Sequence, residues 1–313
     1  MHDTASFETF YSEKILPALP QLGKEANELK AWSTSLAVFV SLAVIFFGLL
    51  ILTEAEVEGS WMIFLFFAFM IVLCIYQYAR SKDAYVDSHK IKIMQEVIHH
   101  VAPGVVFKPG KTVSSKAFKA SRLYQYEYAT FEGEDYMEGI IDGVPFQSSE
   151  LKVGCTDPDG RRYLRSFSGL FFAAALGSNV AGGTFLWPRQ SDQESERLNH
   201  YYKLLPIPGT TKIKTGDKEF DDYFYIRSSS PAESAAILNP RRRQSILQIC
   251  RAIQRPLSCS FVAGRCYIGI PLQDNLLEPA GYDPGNKEAI REYFTTISLV
   301  TTLIRQLQLQ ELR

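Results

Sequence analysis

Two apolar runs dominate the first quarter of the chain. Ala31 to Leu52 holds 22 residues without a charged side chain, and Ser60 to Tyr78 is a second uncharged run rich in Phe and Ile. About 20 apolar residues, rising about 1.5 Å each, cross a hydrocarbon core of roughly 30 Å. Each run therefore predicts a transmembrane helix. The short connection "TEAEVEG" carries Glu54, Glu56 and Glu58 and no Lys or Arg. Lys14, Lys24 and Lys30 precede the first run; Arg80, Lys82, Lys90 and Lys92 follow the second. The positive-inside bias then puts both termini in the cytoplasm and the acidic loop outside. Trp32, Trp61, Tyr76 and Tyr78 stand at the span ends, where aromatic rings anchor to headgroups. A secretory signal would start earlier and would not meet a second apolar run at once. Ser33, Ala37 and Ser41 recur every fourth residue, a spacing that admits close helix contact with the second span or with another copy of the chain.

Helical spacing also marks the flanks. Phe7, Phe10, Tyr11, Ile15, Leu19 and Leu22 follow a helical period interrupted by Pro17 and Pro20, which predicts a short amphipathic segment. Val86, Ile93, Met94, Val97, Ile98 and Val101 carry the second helix past the membrane to an end near Pro103-Gly104. Ser114 to Leu123 reads as a short helix with a serine cap. Strand signals follow. Asp142-Gly143 joins two β-rich runs as a hairpin, Asp157 to Gly160 is a turn, and Ala263-Gly264 centres a second hairpin. A two-residue loop there pairs Phe261 with Cys266 and Cys259 with Ile268. Leu257, Cys259, Phe261, Cys266, Ile268 and Ile270 then share one face, and Ser258, Ser260, Arg265 and Tyr267 the other. Helices return at Pro231 to Leu238, at Pro240 to about Gln254 behind Asn239, and from Asn286 onward. The charge-free part of the last, Tyr293 to Ile304, is 12 residues and too short to span.

Composition changes this picture little. Net charge is −1 overall, and Ser81 to Arg313 carries 29 Lys/Arg against 26 Asp/Glu. So mild a balance excludes a generally basic nucleic-acid binder. Cys74, Cys155, Cys250, Cys259 and Cys266 include no C-x-x-C pair, which points to reduced core thiols in a cytosolic domain. No cofactor is implied. The spans contain no Asp, Glu, Lys, Arg or His, so a conducting path within one hairpin is not expected.

Candidate chemistry is sparse. Gly177 to Thr184 matches the phosphate-loop pattern G-x-x-x-x-G-K-[ST] except that Gly183 stands at the lysine. The aromatic "FLWP" that follows suits a strand, so the stretch reads as strand, glycine turn, strand. His89, Glu96 and His100 share a helical face, while His2, His99 and His200 stand apart; no cluster completes a metal site. Carboxylates gather at Glu132 to Asp135 and at Asp217 to Asp222, both read as solvated turns; brought together, they would serve acid–base work. Arg241, Arg242 and Arg243 open a helix, where positive charge opposes the dipole. They are expected to be offset within the molecule, with lipid or partner contact as the alternative.

Five segments, taken in order, carry a family resemblance: "YEYATFEGEDYMEGIIDGVPFQSSELKV", "FSGLFF", "GTFLWP", "KEFDDYFYIRSSSPAESAAILNP" and "CSFVAGRCYIGIPL". The chain resembles an uncharacterised bacterial family of membrane proteins with two N-terminal spans and a cytosolic domain, often encoded beside LemA-type proteins. The resemblance implies a bacterial inner membrane and a cell-envelope partner of LemA type, and supplies no catalytic residues. The expected fold class is α+β: a transmembrane helical hairpin, then a mostly antiparallel-sheet cytosolic domain with flanking helices. The expected divisions are 1–30, an amphipathic cytosolic segment; 31–79, the hairpin; and 80–313, the α+β domain. The expected function is a membrane-anchored interaction or scaffold module, bound to the lipid bilayer, with self-association open. The alternatives are a membrane-bound, hydrolase-like enzyme built from the carboxylates and an accessory subunit of an oligomeric transport assembly.

Overall fold

The computed structural model describes residues 4–53, 59–124, 128–156, 163–177, 180–189, 207–272, 279 and 281–307. The acidic 54–58 connection and the 157–160 turn expected from the sequence lie outside them, as do His2 and His200. The fold is α+β, with two long apolar helices followed by a nine-stranded antiparallel sheet and flanking helices. The chain divides into two units, Met1–Val97 with Leu277–Tyr293, and Ile98–Leu276 with Phe294–Arg313.

In the first unit, α1 (Thr4–Phe10) leads through a π turn (Tyr11–Ile15) and a 3-10 turn (Leu16–Ala18) into α2 (Leu19–Thr53). The interruption expected at Pro17 and Pro20 takes the form of these two turns, through which the chain stays helical. A proline lacks the N–H and crowds the carbonyl four residues back. The wider π turn followed by the tighter 3-10 turn absorbs that misfit without ending the helix. Phe7, Phe10, Ile15, Leu22, Ala26 and Leu29 are buried. α3 (Ser60–His89) pairs with α2 through Phe46, Phe47, Phe64 and Phe67, whose rings meet mostly edge to face. Ala37 and Ser41 are exposed instead, so the small-residue stripe is not what joins the two helices.

Polar contacts tie the N-terminal helix to the chain around residue 285. Tyr11 donates to the Gly285 carbonyl at 2.6 Å, and Glu8 pairs with Lys287 and, at 3.2 Å, with Arg291. Tyr85 packs with Ala26 and Leu29, and His89 meets the edge of Tyr293 at 5.8 Å. Burial holds the His89 imidazole down at about 4, against an opposing hydrogen bond to the Pro284 carbonyl and with help from Lys90. Past His89, a π turn (Lys90–Met94) and α4 (Gln95–Val101) carry the helix to its expected end.

The second unit is built on the sheet. Its strands are β1 (Val106–Lys108), β2 (Thr130–Ile141), β3 (Val144–Thr156), β4 (Tyr163–Ala175), β5 (Gly183–Pro188), β6 (Thr211–Lys212), β7 (Phe224–Ser228), β8 (Ser258–Val262) and β9 (Arg265–Pro271). They lie in the order β1-β2-β3-β4-β9-β8-β5-β7-β6. Asp142 and Gly143 both take positive φ, at 48° and 79°, which gives the hairpin turn that matches strand twist. Ala263 and Gly264 do the same at 50° and 70°, and the register pairs Phe261 with Cys266 and Cys259 with Ile268, as expected.

Both faces of the central strands are covered. One carries Phe118, Phe167, Phe171, Phe185, Trp187 and Tyr267. The other carries Cys259, Phe261, Cys266 and Ile268, all buried, with Cys250 and Arg242 close enough to Cys259 to bias its thiol. Ser258 and Ser260 are buried too. They are tolerated because Ser260 donates to the Ser121 carbonyl at 2.7 Å and Ser258 bonds Tyr124. α5 (Ser115–Ala120) has its serine cap, with Ser114 Oγ accepting from Ala117 N–H. The remaining helices among the described residues are α6 (Lys218–Tyr223), α7 (Pro231–Ile237), α8 (Pro240–Ile253) and α9 (Lys287–Gln306). Asn239 caps α8 through its side chain at 2.9 Å.

Two expected outcomes follow from this packing. Gly169 has φ 147°, and a Cβ there would lie 2.1 Å from the Ile270 carbonyl oxygen. Gly169→Ala therefore forces β4 from β9 and costs about 3 kcal/mol or more, read by urea denaturation. Secondly, His89 titrates at about 4 when folded, below its ordinary 6.5, so the folded state binds this proton less readily. Stability present above pH 6.5 is lost as pH falls toward 4, by about 3 kcal/mol across that window. Denaturation of the full chain against His89→Gln at pH 7 and 4 checks it, the difference between the two shrinking by that amount at the lower pH.

Candidate functional site

The glycine-rich stretch is the place to test for a ligand loop. β4 ends at Ala175, and the Leu176 N–H donates to the Gly264 carbonyl at 2.8 Å. Ser178 and Asn179 lie outside the described residues. At Gly183 the chain enters β5, held between β8 and β7, so strand, turn and strand follow as expected. A phosphate loop needs free amides and a helix whose N-terminus faces the anion. Among the described residues the Gly182 and Gly183 amides are engaged, and strand β5, not a helix, follows. The Gly182 N–H donates to Glu233 Oε2 at 2.8 Å, and the Gly183 N–H to Ser229 Oγ at 2.7 Å. The chain's own carboxylate therefore occupies the position that a phosphate oxygen would take. A Cβ on Gly182 would lie 2.6 Å from Glu233 Oε2 and 2.8 Å from Ser229 Oγ, which is why glycine stands there.

Hydroxyls complete the arrangement. Thr184, in the motif's Ser/Thr position, is buried and places Oγ1 2.9 Å from Ser234 Oγ. Ser234 also contacts Ser228, and Ser228 donates to the Ser230 carbonyl at 3.0 Å. Ser230 caps α7, which carries both Glu233 and Ser234. The cluster therefore joins β5 to the β7–α7 turn, with hydroxyls partnered inside the fold.

The carboxylates are differently placed from the sequence expectation. Glu132 to Asp135 lies within β2, not in a turn. A bulge between Glu134 and Met137 buries Asp135 at φ 57°, with its N–H donating to the Pro109 carbonyl at 2.8 Å. Asp217 to Asp222 is a capped helix rather than a loop. Asp217 accepts the Phe220 N–H at 3.3 Å, and Asp221 accepts from Thr215 N–H and Oγ1, both at 2.9 Å. An open depression of about 550 Å³ beside α6 is lined, among the described residues, by Lys218, Glu219, Asp222 and Tyr223, with none of Glu132 to Asp135.

The arginine run divides by position. Arg241 is exposed. Arg242 is buried and donates to the carbonyls of Leu307, at 2.8 Å, and of Ile237. Arg243 pairs with Asp217 at 3.2 Å and donates to the Leu238 carbonyl at 2.7 Å. Of the histidines, His89 is buried while His99 and His100 are exposed. No group of three His, Cys, Asp or Glu side chains gathers for a metal among the described residues. All five cysteines are buried free thiols, with Cys259 Sγ 3.9 Å from Cys266 Sγ. Burial pushes the Cys250 thiol up to about 11 and holds the Cys259 thiol well above its ordinary range, so both remain protonated and unreactive near neutral pH.

With the geometry in place, comparison with known proteins adds one relation. The second half of the chain matches a family described as Protein of unknown function (DUF3137). The match covers residues 165–309, from β4 through α9, and so includes the glycine turn, the serine cluster and the arginine run. An uncharacterised family was the expectation, and DUF3137 meets it in that form. No curated protein matches the chain. Among solved structures, the crystal structure of the mycobacterial trehalose monomycolate transport factor A, TtfA, is similar at 8% identity and a TM-score of 0.34, covering 66% of this chain and 96% of that chain. So low a score bears no functional argument.

Glu233→Ala strips the Gly182 amide of its acceptor and is expected to cost about 2 kcal/mol in urea denaturation. Added ATP or GTP should leave the melting temperature of the wild-type chain unchanged, since the Gly182 and Gly183 amides are already engaged and strand, not helix, follows them.

Proposed function

We propose that the chain is a membrane-anchored interaction module. In this reading two helices cross a bacterial inner membrane, both termini are cytoplasmic, and the sheet domain meets partner proteins. The observation that carries the anchoring is exposure. The most apolar windows of the helices Phe7–Thr53 and Ser60–Val101 are only 0% and 6% buried within the molecule. Ile51 and Leu52 are 78% and 81% exposed, and Phe64, Phe66 and Phe69 each more than half. Leaving that surface in water costs about 25 cal/mol per Å². A hydrocarbon layer removes the cost and suits helices of this length. The lysines before the first run and after the second support a cytoplasmic position for both ends.

The interaction role is supported by how polar groups are used. Glu233, Asp217 and Asp221 serve as acceptors for backbone amides, and Arg242 serves as a donor to backbone carbonyls. Side chains that would ordinarily be assigned chemistry are committed to holding the fold. A LemA-type membrane protein, from the family resemblance, is the partner this reading favours.

Alkaline carbonate washing should leave the full chain in the membrane pellet, and Leu42→Lys, which puts a charge at the centre of the first span at about 2.5–3.5 kcal/mol, should lower the inserted fraction. Affinity purification from membranes in mild detergent should recover a protein partner. Recovery of the chain alone under several growth conditions counts against the interaction role while leaving the anchoring intact.

A further inference from the structure

At one end of the sheet, three strands bring cations and aromatic rings onto a single face. Trp187 on β5 lies opposite Tyr225 on β7, and Phe185 opposite Arg227. Lys212 on β6 lies opposite Arg227 from the other side. Residues directly opposite in an antiparallel pair project to the same face, and so do residues two apart on one strand. Trp187, Phe185, Tyr225, Arg227 and Lys212 therefore share it.

The cations converge on the rings. Arg189 stands 5.9 Å from the Tyr225 centroid and Lys212 Nζ 5.5 Å from the same ring. Arg122 stands 5.4 Å over Phe185. Arg227 is fixed in place, donating to the Tyr225 hydroxyl at 3.2 Å, to Thr210 Oγ1 at 2.9 Å and to the Thr210 carbonyl. Those bonds leave donors of its five unused. Arg189 and Lys212 are exposed, and among the described residues no carboxylate forms an ion pair with Arg189, Lys212 or Arg227. Elsewhere in this unit Arg243, Arg251, Arg305 and Lys108 do pair with carboxylates.

We propose that this platform binds a phosphate-bearing anion. Three cations gathered around the Tyr225 ring, without carboxylate partners among the described residues, are best complemented by one group holding up to two negative charges and three acceptor oxygens, which is phosphate. Guanidinium forks match its oxygens two at a time. Cations resting on ring faces are partly ordered before a ligand arrives, which lowers the entropy lost on binding. The amides of Gly182 and Gly183, by contrast, already donate to Glu233 and Ser229. The proposal does not depend on membrane anchoring, because a free phosphate and a lipid headgroup offer the same group.

The test uses the full chain in neutral detergent with Trp32→Phe and Trp61→Phe, so that Trp187 alone reports. Inorganic phosphate and short-chain phosphatidic acid are titrated separately, with chloride at matched ionic strength and short-chain phosphatidylcholine as controls. A saturable change in Trp187 fluorescence is expected with at least one of the two probes; response to both or to phosphate alone marks a soluble ligand, and response to the lipid alone marks a headgroup. Arg189→Ala with Lys212→Ala should weaken it roughly tenfold or more, and Arg265→Ala, an exposed cation on β9, should not. Phosphorus NMR line broadening of inorganic phosphate and phosphatidic acid by the natural chain gives the same comparison without the tryptophan changes. No saturable response to either probe, an equal response to chloride, or full binding by the Arg189→Ala, Lys212→Ala chain overturns the proposal.

Discussion

The two-residue turn at Ala263-Gly264 sets the register on which the sheet domain depends. It aligns β8 with β9, and those strands link β4 on one side to β5 on the other. Strand side chains alternate, so a slip of one residue would exchange the two faces. Here each face has its own complement. Cys259, Phe261, Cys266 and Ile268 sit in an apolar environment near Cys250, whereas Ser258 and Ser260 find a tyrosine hydroxyl and a carbonyl in the Ser121–Tyr124 segment. Exchanging them would bury serines without partners and set phenylalanine against polar backbone. The penalty falls on both faces at once, so the register is specified twice.

A second constraint, the satisfaction of buried polar groups, explains why suggestive side chains turn inward. Turns and helix ends leave amides and carbonyls without backbone partners. Asp217, Ser230, Asn239 and Glu233 supply acceptors, while Arg242 and Arg243 supply donors to the carbonyls at Ile237, Leu238 and Leu307. An arginine at a helix start opposes the dipole, yet Arg242 reaches carbonyls outside its own helix, which are negative ends. Its position is therefore favourable where the isolated helix would make it costly. The glycine turn follows the same logic, with a carboxylate from α7 filling an anion position.

This division also separates what was legible in the sequence from what was not. Both hairpin turns, the helices at 231, 240 and 287, the serine and asparagine caps and the two long apolar helices rest on signals within a few residues, and each was legible. The strands Val106–Lys108 and Phe224–Ser228 carry too few residues to declare a period and exist through their partners. The Asp135 bulge has the acidic, glycine-flanked composition of a turn, and only its pairing with β3 places it in a strand. Pro17 interrupts the α-helix as the local rule says, but the π and 3-10 turns that keep the chain helical there were not legible. The glycine stretch could be read as strand, turn and strand from its aromatic continuation. That Glu233 occupies its amides could not, because about fifty residues separate them.

The cationic platform is the extreme case of that non-locality. Arg189, Lys212 and Arg227 are scattered single charges in a chain whose net charge is near zero, and no window of sequence makes them a patch. Three things assemble them: the β5–β7 register, which sets Trp187 against Tyr225; the short β6, which sets Lys212 against Arg227; and Thr210, whose hydroxyl and carbonyl fix the Arg227 fork. By contrast the contiguous Arg241 to Arg243 run, conspicuous in sequence, gives up one member to the interior and another to Asp217. Charge density along a chain and charge density on a surface are thus separate quantities. In this fold, strand register converts isolated cations into a field, while capping geometry disperses a consecutive run of them.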